Sequence, residues 1–136
     1  MKSKIIAVII GLIIIIPISA QNKISLLETK QVNEYLILRA EQSKIINPMI
    51  EQINKILEED KNIITELKKR FDNGDEPGIF EKISVKRGRD KRAGDIEDLI
   101  EEIEDQLSDE QKIKYKEIEK SKLKSLSKEE LLGKKN

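Results

Sequence analysis

From Ile24 to Phe71 the apolar positions recur at three- and four-residue spacing, the period of an amphipathic helix rather than the alternation of a strand. The stretch holds no glycine and a single proline, Pro48. Ser25, with Glu28 three residues on, has the residue types of a capping box at the first helix start. Asn47-Pro48 marks a second start, because Asn caps well and Pro suits the first helical position; one helix bent at Pro48 is the other reading. Beyond it Met49, Ile50, Ile53, Ile56, Leu57, Ile63, Ile64, Leu67 and Phe71 form one broad apolar stripe, interrupted once by Asp60 and Lys61. Such a stripe needs a partner surface.

Asp72-Asn73-Gly74-Asp75-Glu76-Pro77-Gly78 ends this helix with two glycines, a proline and turn-forming Asn and Asp. A loop or short helix at Ile79–Ile83 is expected next, then the basic run Lys86-Arg87-Gly88-Arg89-Asp90-Lys91-Arg92, with Gly94 closing a charged linker over residues 72–94. Asp95 reads as the cap of a third helix. Its stripe of Ile96, Leu99, Ile100, Ile103 and Leu107 faces away from Glu97, Asp98, Glu101, Glu102, Glu104 and Asp105, and helical character continues past Leu107 through Ile113, Tyr115 and Ile118. Residues 127–136 read as a frayed Lys-rich tail. The pattern predicts an all-α fold: one small antiparallel domain of three to four helices within residues 21–126.

The first residues carry a different signal. Lys2 and Lys4 precede an uncharged run from Ile5 to Ile18, and Ile18-Ser19-Ala20 offers a small residue at a cut position. This is the layout of a secretory signal peptide, cleaved after Ala20. A retained anchor is the alternative, although the run is short of the roughly 20 residues that span a bilayer. The expected location is periplasmic, with membrane contact only if the segment is retained.

Cleavage removes two of the 26 basic side chains and none of the 26 acidic ones, so the mature chain is close to neutral. That balance argues against nucleic acid as a partner. With no cysteine, burial alone must hold the fold. His is absent as well, which removes the usual general base and the best nucleophile together, so no catalytic residue is assigned. The same two absences leave only carboxylates to build a zinc site, unlike the usual ligand set; neither a metal nor another cofactor is expected.

At Leu107-Ser108-Asp109-Glu110-Gln111 the residue types make a capping box: the Ser hydroxyl takes a backbone amide of the following turn and Gln reaches back to the Ser amide. The segment, preceded by Asp95-Ile96-Glu97-Asp98-Leu99-Ile100 and followed by Lys112-Ile113-Lys114-Tyr115, resembles the second motif copy of the periplasmic LTxxQ-motif (Spy/CpxP) family, with Ser in place of Thr. Leu27-Glu28-Thr29-Lys30-Gln31, followed by Tyr35 as Gln111 is by Tyr115, resembles a degenerate first copy. The resemblance covers about residues 25–120 and implies a helical, cradle-like homodimer that holds unfolded or stressed envelope proteins without ATP, or restrains an envelope-stress sensor. Under it, Leu27, Gln31, Leu107, Ser108 and Gln111 are motif residues that cap and orient helices.

Each candidate surface has a plainer use. The stripe of Met49, Ile50, Ile53, Leu57, Ile64, Leu67 and Phe71 is first of all a face for packing within the chain, and second a client or dimer surface. Lys86, Arg87, Arg89, Lys91 and Arg92 read first as a solvated loop and second as a patch for acidic client segments or anionic headgroups, weakened by salt. A membrane-anchored or soluble helical adaptor, binding a folded envelope sensor, is the rival to the chaperone-like reading.

Overall fold

The computed structural model describes residues 23–124, which form four helices: α1 (Thr29–Leu36), α2 (Ala40–Asp72), α3 (Ile79–Asp105) and α4 (Asp109–Tyr115). The fold is all-α, as the helical period predicts. The expected signal segment (1–20) and the tail (127–136) lie outside the described residues. No helix among those described is long and apolar enough to cross a membrane.

Helix α2 runs unbroken through Pro48, so Asn47-Pro48 does not start a helix. An interior proline forfeits one ladder bond and costs about 3 kcal/mol. Against that, Ile46, Ile50, Ile53, Ile64 and Leu67 are all buried along this helix, each worth about 1.5–3 kcal/mol. Packing decides. Ser25 is no helix cap either: its Oγ takes the Leu27 amide at 3.2 Å, while Leu26 donates to Glu119 O at 3.0 Å and Glu119 to Ile24 O at 2.8 Å. This short parallel bridge fastens residues 24–26 beside the segment that follows α4, and α1 begins only at Thr29.

The stop signals after Asp72 work as read. Asn73 caps α2, Gly74 adopts φ 81°, and Asp75 donates to Arg70 O at 2.8 Å. Gly is the residue that takes such a φ at no steric cost. The Arg70 guanidinium bonds Asp75 at 3.0 Å and also Glu81, clamping the end of α2 to the start of α3. Beyond Gly78 the chain is helix rather than the expected linker. Helix α3 starts at Ile79 and passes through the basic run, Gly88, Gly94 and Asp95 without a break. Two helical glycines cost about 1 kcal/mol each relative to Ala, and packing on α2 offsets this.

Leu26, Val32, Leu36, Ile46, Ile50, Ile53, Ile96, Ile103, Leu107, Tyr115 and Ile118 make one core. It fills the end of the molecule where α1, α4, the first half of α2 and the last third of α3 meet. Toward the α2–α3 turn the interior thins to Ile64, Leu67 and Pro77. The stripe offered as a client or dimer surface is spent on this packing: Ile50, Ile53, Ile64 and Leu67 are buried, Met49 and Leu57 lean on the core, and Phe71 is half-buried. It is an internal face.

Candidate functional site

Two helices start at the centre of the deep end, and their first turns face each other. Ser108 precedes α4, accepts the Gln111 amide on its Oγ at 3.2 Å and donates its own amide to Gln111 Oε1 at 2.9 Å. The capping box read from the sequence is present in both halves. Arg39 occupies the same place before α2. A guanidinium has no acceptor, so only the returning half exists there: the Arg39 amide donates to Gln42 Oε1 at 2.9 Å.

Gln42 and Gln111 then bond each other. Gln42 Nε2 donates to Gln111 Oε1 at 2.8 Å, and Gln111 Nε2 to Gln42 Oε1 at 3.1 Å. Each amide nitrogen spends its second proton on the end of the helix that precedes the other motif. Gln42 reaches Gln106 O at 2.8 Å, and Gln111 reaches Leu36 O at 3.1 Å with Ile37 O at 3.4 Å. Gln42 is 4% exposed, and the reciprocal pair leaves none of its polar positions unmatched. The bonding between Leu38-Arg39-Ala40-Glu41-Gln42 and Leu107-Ser108-Asp109-Glu110-Gln111 is thus reciprocal. Four residues beyond each Gln, Ile46 and Tyr115 enter the core.

The structural counterpart of Leu107–Gln111 is thus Leu38–Gln42; Leu27 packs on the rim of the core, and Gln31 is exposed on α1. The Leu-x-x-x-Gln-x-x-x-apolar spacing is common to Leu27–Tyr35, Leu38–Ile46 and Leu107–Tyr115, so spacing alone does not single out Leu38–Gln42. Arg39 hid it by removing the capping hydroxyl.

Ile37, just before Leu38, sits at φ 53° and is 71% exposed. A β-branched side chain in the left-handed region is strained, so this residue carries both strain and an unburied apolar side chain. It lines a shallow cleft with Leu36, Ser108, Glu110, Gln111 and Lys114. Asn33 braces the turn from behind, donating to Thr29 O at 2.6 Å and to Asn47 Oδ1 at 2.8 Å while accepting from Ser43 Oγ.

The basic run divides between solvent and interior. Lys86 pairs with Asp90 at 3.1 Å and Lys91 with Asp95 at 2.9 Å along α3, and Arg87 is exposed. Arg89 and Arg92 turn inward onto Asp60, the residue that interrupts the apolar stripe. Arg89 grips both carboxylate oxygens, Nε to Oδ1 at 3.0 Å and Nη2 to Oδ2 at 2.8 Å, and gives Nη2 to Lys124 O at 2.7 Å. Arg92 Nε donates to Oδ1 at 3.0 Å; its buried Nη2 lies 3.0 Å from the same oxygen as an ion pair and makes no hydrogen bond among the described residues. Burial pushes the Asp60 carboxyl up, but the bonds and charges of Arg89 and Arg92 outweigh it and hold the group below its ordinary range. Gly88 leaves room for this, since a Cβ there would lie 3.1 Å from Arg92 Nη1.

At the opposite end, the first turn of α3 presents Ile79 (69% exposed), Phe80 (83%) and Ile83 to solvent. Their i, i+1, i+4 spacing places them together on the helix surface. Beside them a groove between α2 and α3 is lined by Ile63, Leu67 and Val85 with Arg70 and Glu81. The segment expected as a loop or short helix is the first turn of a long one, and its three large apolar side chains are uncovered. Against known proteins, the chain matches no family model, no curated protein and no solved structure.

Proposed function

We propose that the chain is an exported, periplasmic, ATP-independent holder of non-native envelope proteins, working as a homodimer. The observation that carries this reading is the Ile79-Phe80-Ile83 cluster, a set of large apolar side chains that the chain's own core leaves in water. Contiguous exposed apolar surface on a charged molecule is the mark of an interaction site. It can cover an apolar client segment while Glu76, Glu81, Lys82 and Lys86 keep the complex soluble. The paired Leu-x-x-x-Gln turns add to the likeness with the LTxxQ-motif family.

The test is light scattering from a chemically unfolded, aggregation-prone protein diluted into buffer without nucleotide. The purified chain is expected to suppress scattering at near-stoichiometric ratios, and Phe80→Ser with Ile83→Ser to abolish the effect without lowering helical content. A folded chain that leaves scattering unchanged removes the holding reading.

The strained, exposed Ile37 favours a second reading, in which the Gln-paired end docks a folded envelope sensor and the protein is an adaptor. Backbone strain persists where the surroundings over-determine it and clusters at binding sites. Binding of a natively folded partner, lost in Ile37→Ser and indifferent to Phe80→Ser, would support it.

A further inference from the structure

We infer that the cleft bounded by α2, Arg89 of α3 and residues 122–124 binds an aliphatic carboxylate, a free alkyl chain with a single anionic head. The cleft encloses about 400 Å³. Its apolar wall is Leu57, Ile64 and Leu123, and Lys61 and Lys122 stand at its rim. Of the residues lining it, Lys61, Lys68, Arg89, Lys122 and Lys124 are cationic, and Asp60 is the one acid.

At its base the charge is unbalanced. Two guanidiniums share the Asp60 carboxylate, so one positive charge is left over in a place where both arginine side chains are largely covered. The bonds from Arg89 to Asp60 and Lys124 use Nε and Nη2 and leave Nη1 out. A buried surplus charge calls for a counter-ion, and a single carboxylate supplies one. The apolar wall calls for an alkyl chain rather than a bare ion. No aromatic ring lines the cleft, which removes the stacking platform a nucleotide base would use. The site is separate from the exposed cluster at Ile79–Ile83, so it stands or falls independently of the holding activity.

The test is titration of the purified full chain with octanoate, octanol and octyltrimethylammonium, followed by backbone amide shifts of Leu57, Thr65 and Leu123. Octanoate is expected to give saturable shifts confined to these positions. Decanoate should bind more tightly, by up to about fourfold for each methylene that finds cover, and added salt should weaken both. Octanol and the cationic amphiphile should bind at least about tenfold more weakly. Because Arg89→Gln disturbs the Asp60 cluster, the discriminating variant is Lys61→Glu with Lys122→Glu, both exposed. It should weaken octanoate by about tenfold, leave octanol unchanged and leave the circular dichroism spectrum as it was. The proposal is overturned if octanol matches octanoate, if the charge reversals change nothing, if the shifts do not saturate or centre on Ile79–Ile83, or if an acidic apolar peptide fills the cleft where octanoate does not.

Discussion

Replacing Gln111 with Ala tests whether the paired junction is a cooperative unit or two adjacent caps. The change deletes both bonds with Gln42, the bond to Leu36 O and the return bond from the Ser108 amide. Ser108 is exposed, so water takes over its amide and that loss is small. The cost sits at Gln42, whose buried Oε1 and Nε2 each lose a partner. A net hydrogen bond is worth about 1 kcal/mol, and a buried group left unsatisfied costs about 1–3 kcal/mol. The expected loss is about 2–4 kcal/mol, readable as a lower urea midpoint at constant slope. Gln42→Ala should cost a similar amount, and the double variant less than the two together, with a coupling of about 1–2 kcal/mol. Gln111→Glu sharpens the test, because one of its oxygens must face Gln42 Oε1 and Leu36 O, both acceptors. At neutral pH it should be worse than Gln111→Ala, and should recover as acid protonates it. Additivity of the two alanine variants within about 0.5 kcal/mol would refute the reciprocal pair.

Three further expectations concern the helices and their charges. Gly94→Ala, with nothing within 4 Å of the new Cβ, should stabilise by about 1 kcal/mol, whereas Gly88→Ala should gain less because Arg92 must give way; equal melting shifts would deny that contact a role. Pro48→Ala should raise stability, since Pro48 is exposed and its replacement restores an amide for the Lys44 carbonyl; a loss above about 1 kcal/mol would show that the proline shapes α2. The pH range should be bounded on both sides. Asp60 has a depressed folded pKa, so its contribution is intact above its ordinary value of 3.8 and is lost as pH falls below it. Burial, with Glu104 adding to it, raises the Tyr115 phenol, whose hydroxyl donates to Ile100 O at 3.0 Å, so its contribution is lost above about pH 10. Unfolding midpoints of Asp60→Asn and Tyr115→Phe across pH assign the two limbs, and unchanged limbs would contradict the assignment.

Much of the fold was written in features that act locally. The helical period, the stop at Asp72–Gly78 and the Ser108–Gln111 box all depend on neighbours within one turn, and each is where the residues placed it. The features missed depend on distant partners. Residues 79–94 read as a linker closed by Gly94 because propensity is local, yet α3 is held by its contact with α2. In the basic run Lys86, Arg87 and Lys91 are solvated as read, whereas Arg89 and Arg92 turn inward because their partner, Asp60, lies far upstream on another helix. A clue was present: an acid in the middle of an apolar stripe must find a cation, and Arg89 and Arg92, at i and i+3, present two on one face. The first Leu-x-x-x-Gln turn was missed because Arg39 lacks the hydroxyl that advertises a cap, and Leu27–Gln31 offered a closer match in letters with no matching geometry.

The distribution of burial along the α2–α3 hairpin bears on how the two ends can act. At the deep end, eleven core side chains and the Gln pair fix the backbone, and even the strained Ile37 is held in place. At the other end, among the described residues, Ile64, Leu67 and Pro77 alone are fully covered, and the turn is secured by the Arg70 clamp on Asp75 and Glu81, surface pairs that salt weakens. Local opening is easiest where few apolar contacts resist it. Ile79, Phe80 and Ile83 stand on that part of the molecule, so a surface meant for irregular, non-native segments can adapt there at small cost. The Asp60 cluster lies between the two ends. Its bidentate Arg89 contact ties α2, α3 and Lys124 together, limiting how far an opening at the turn can travel toward the core.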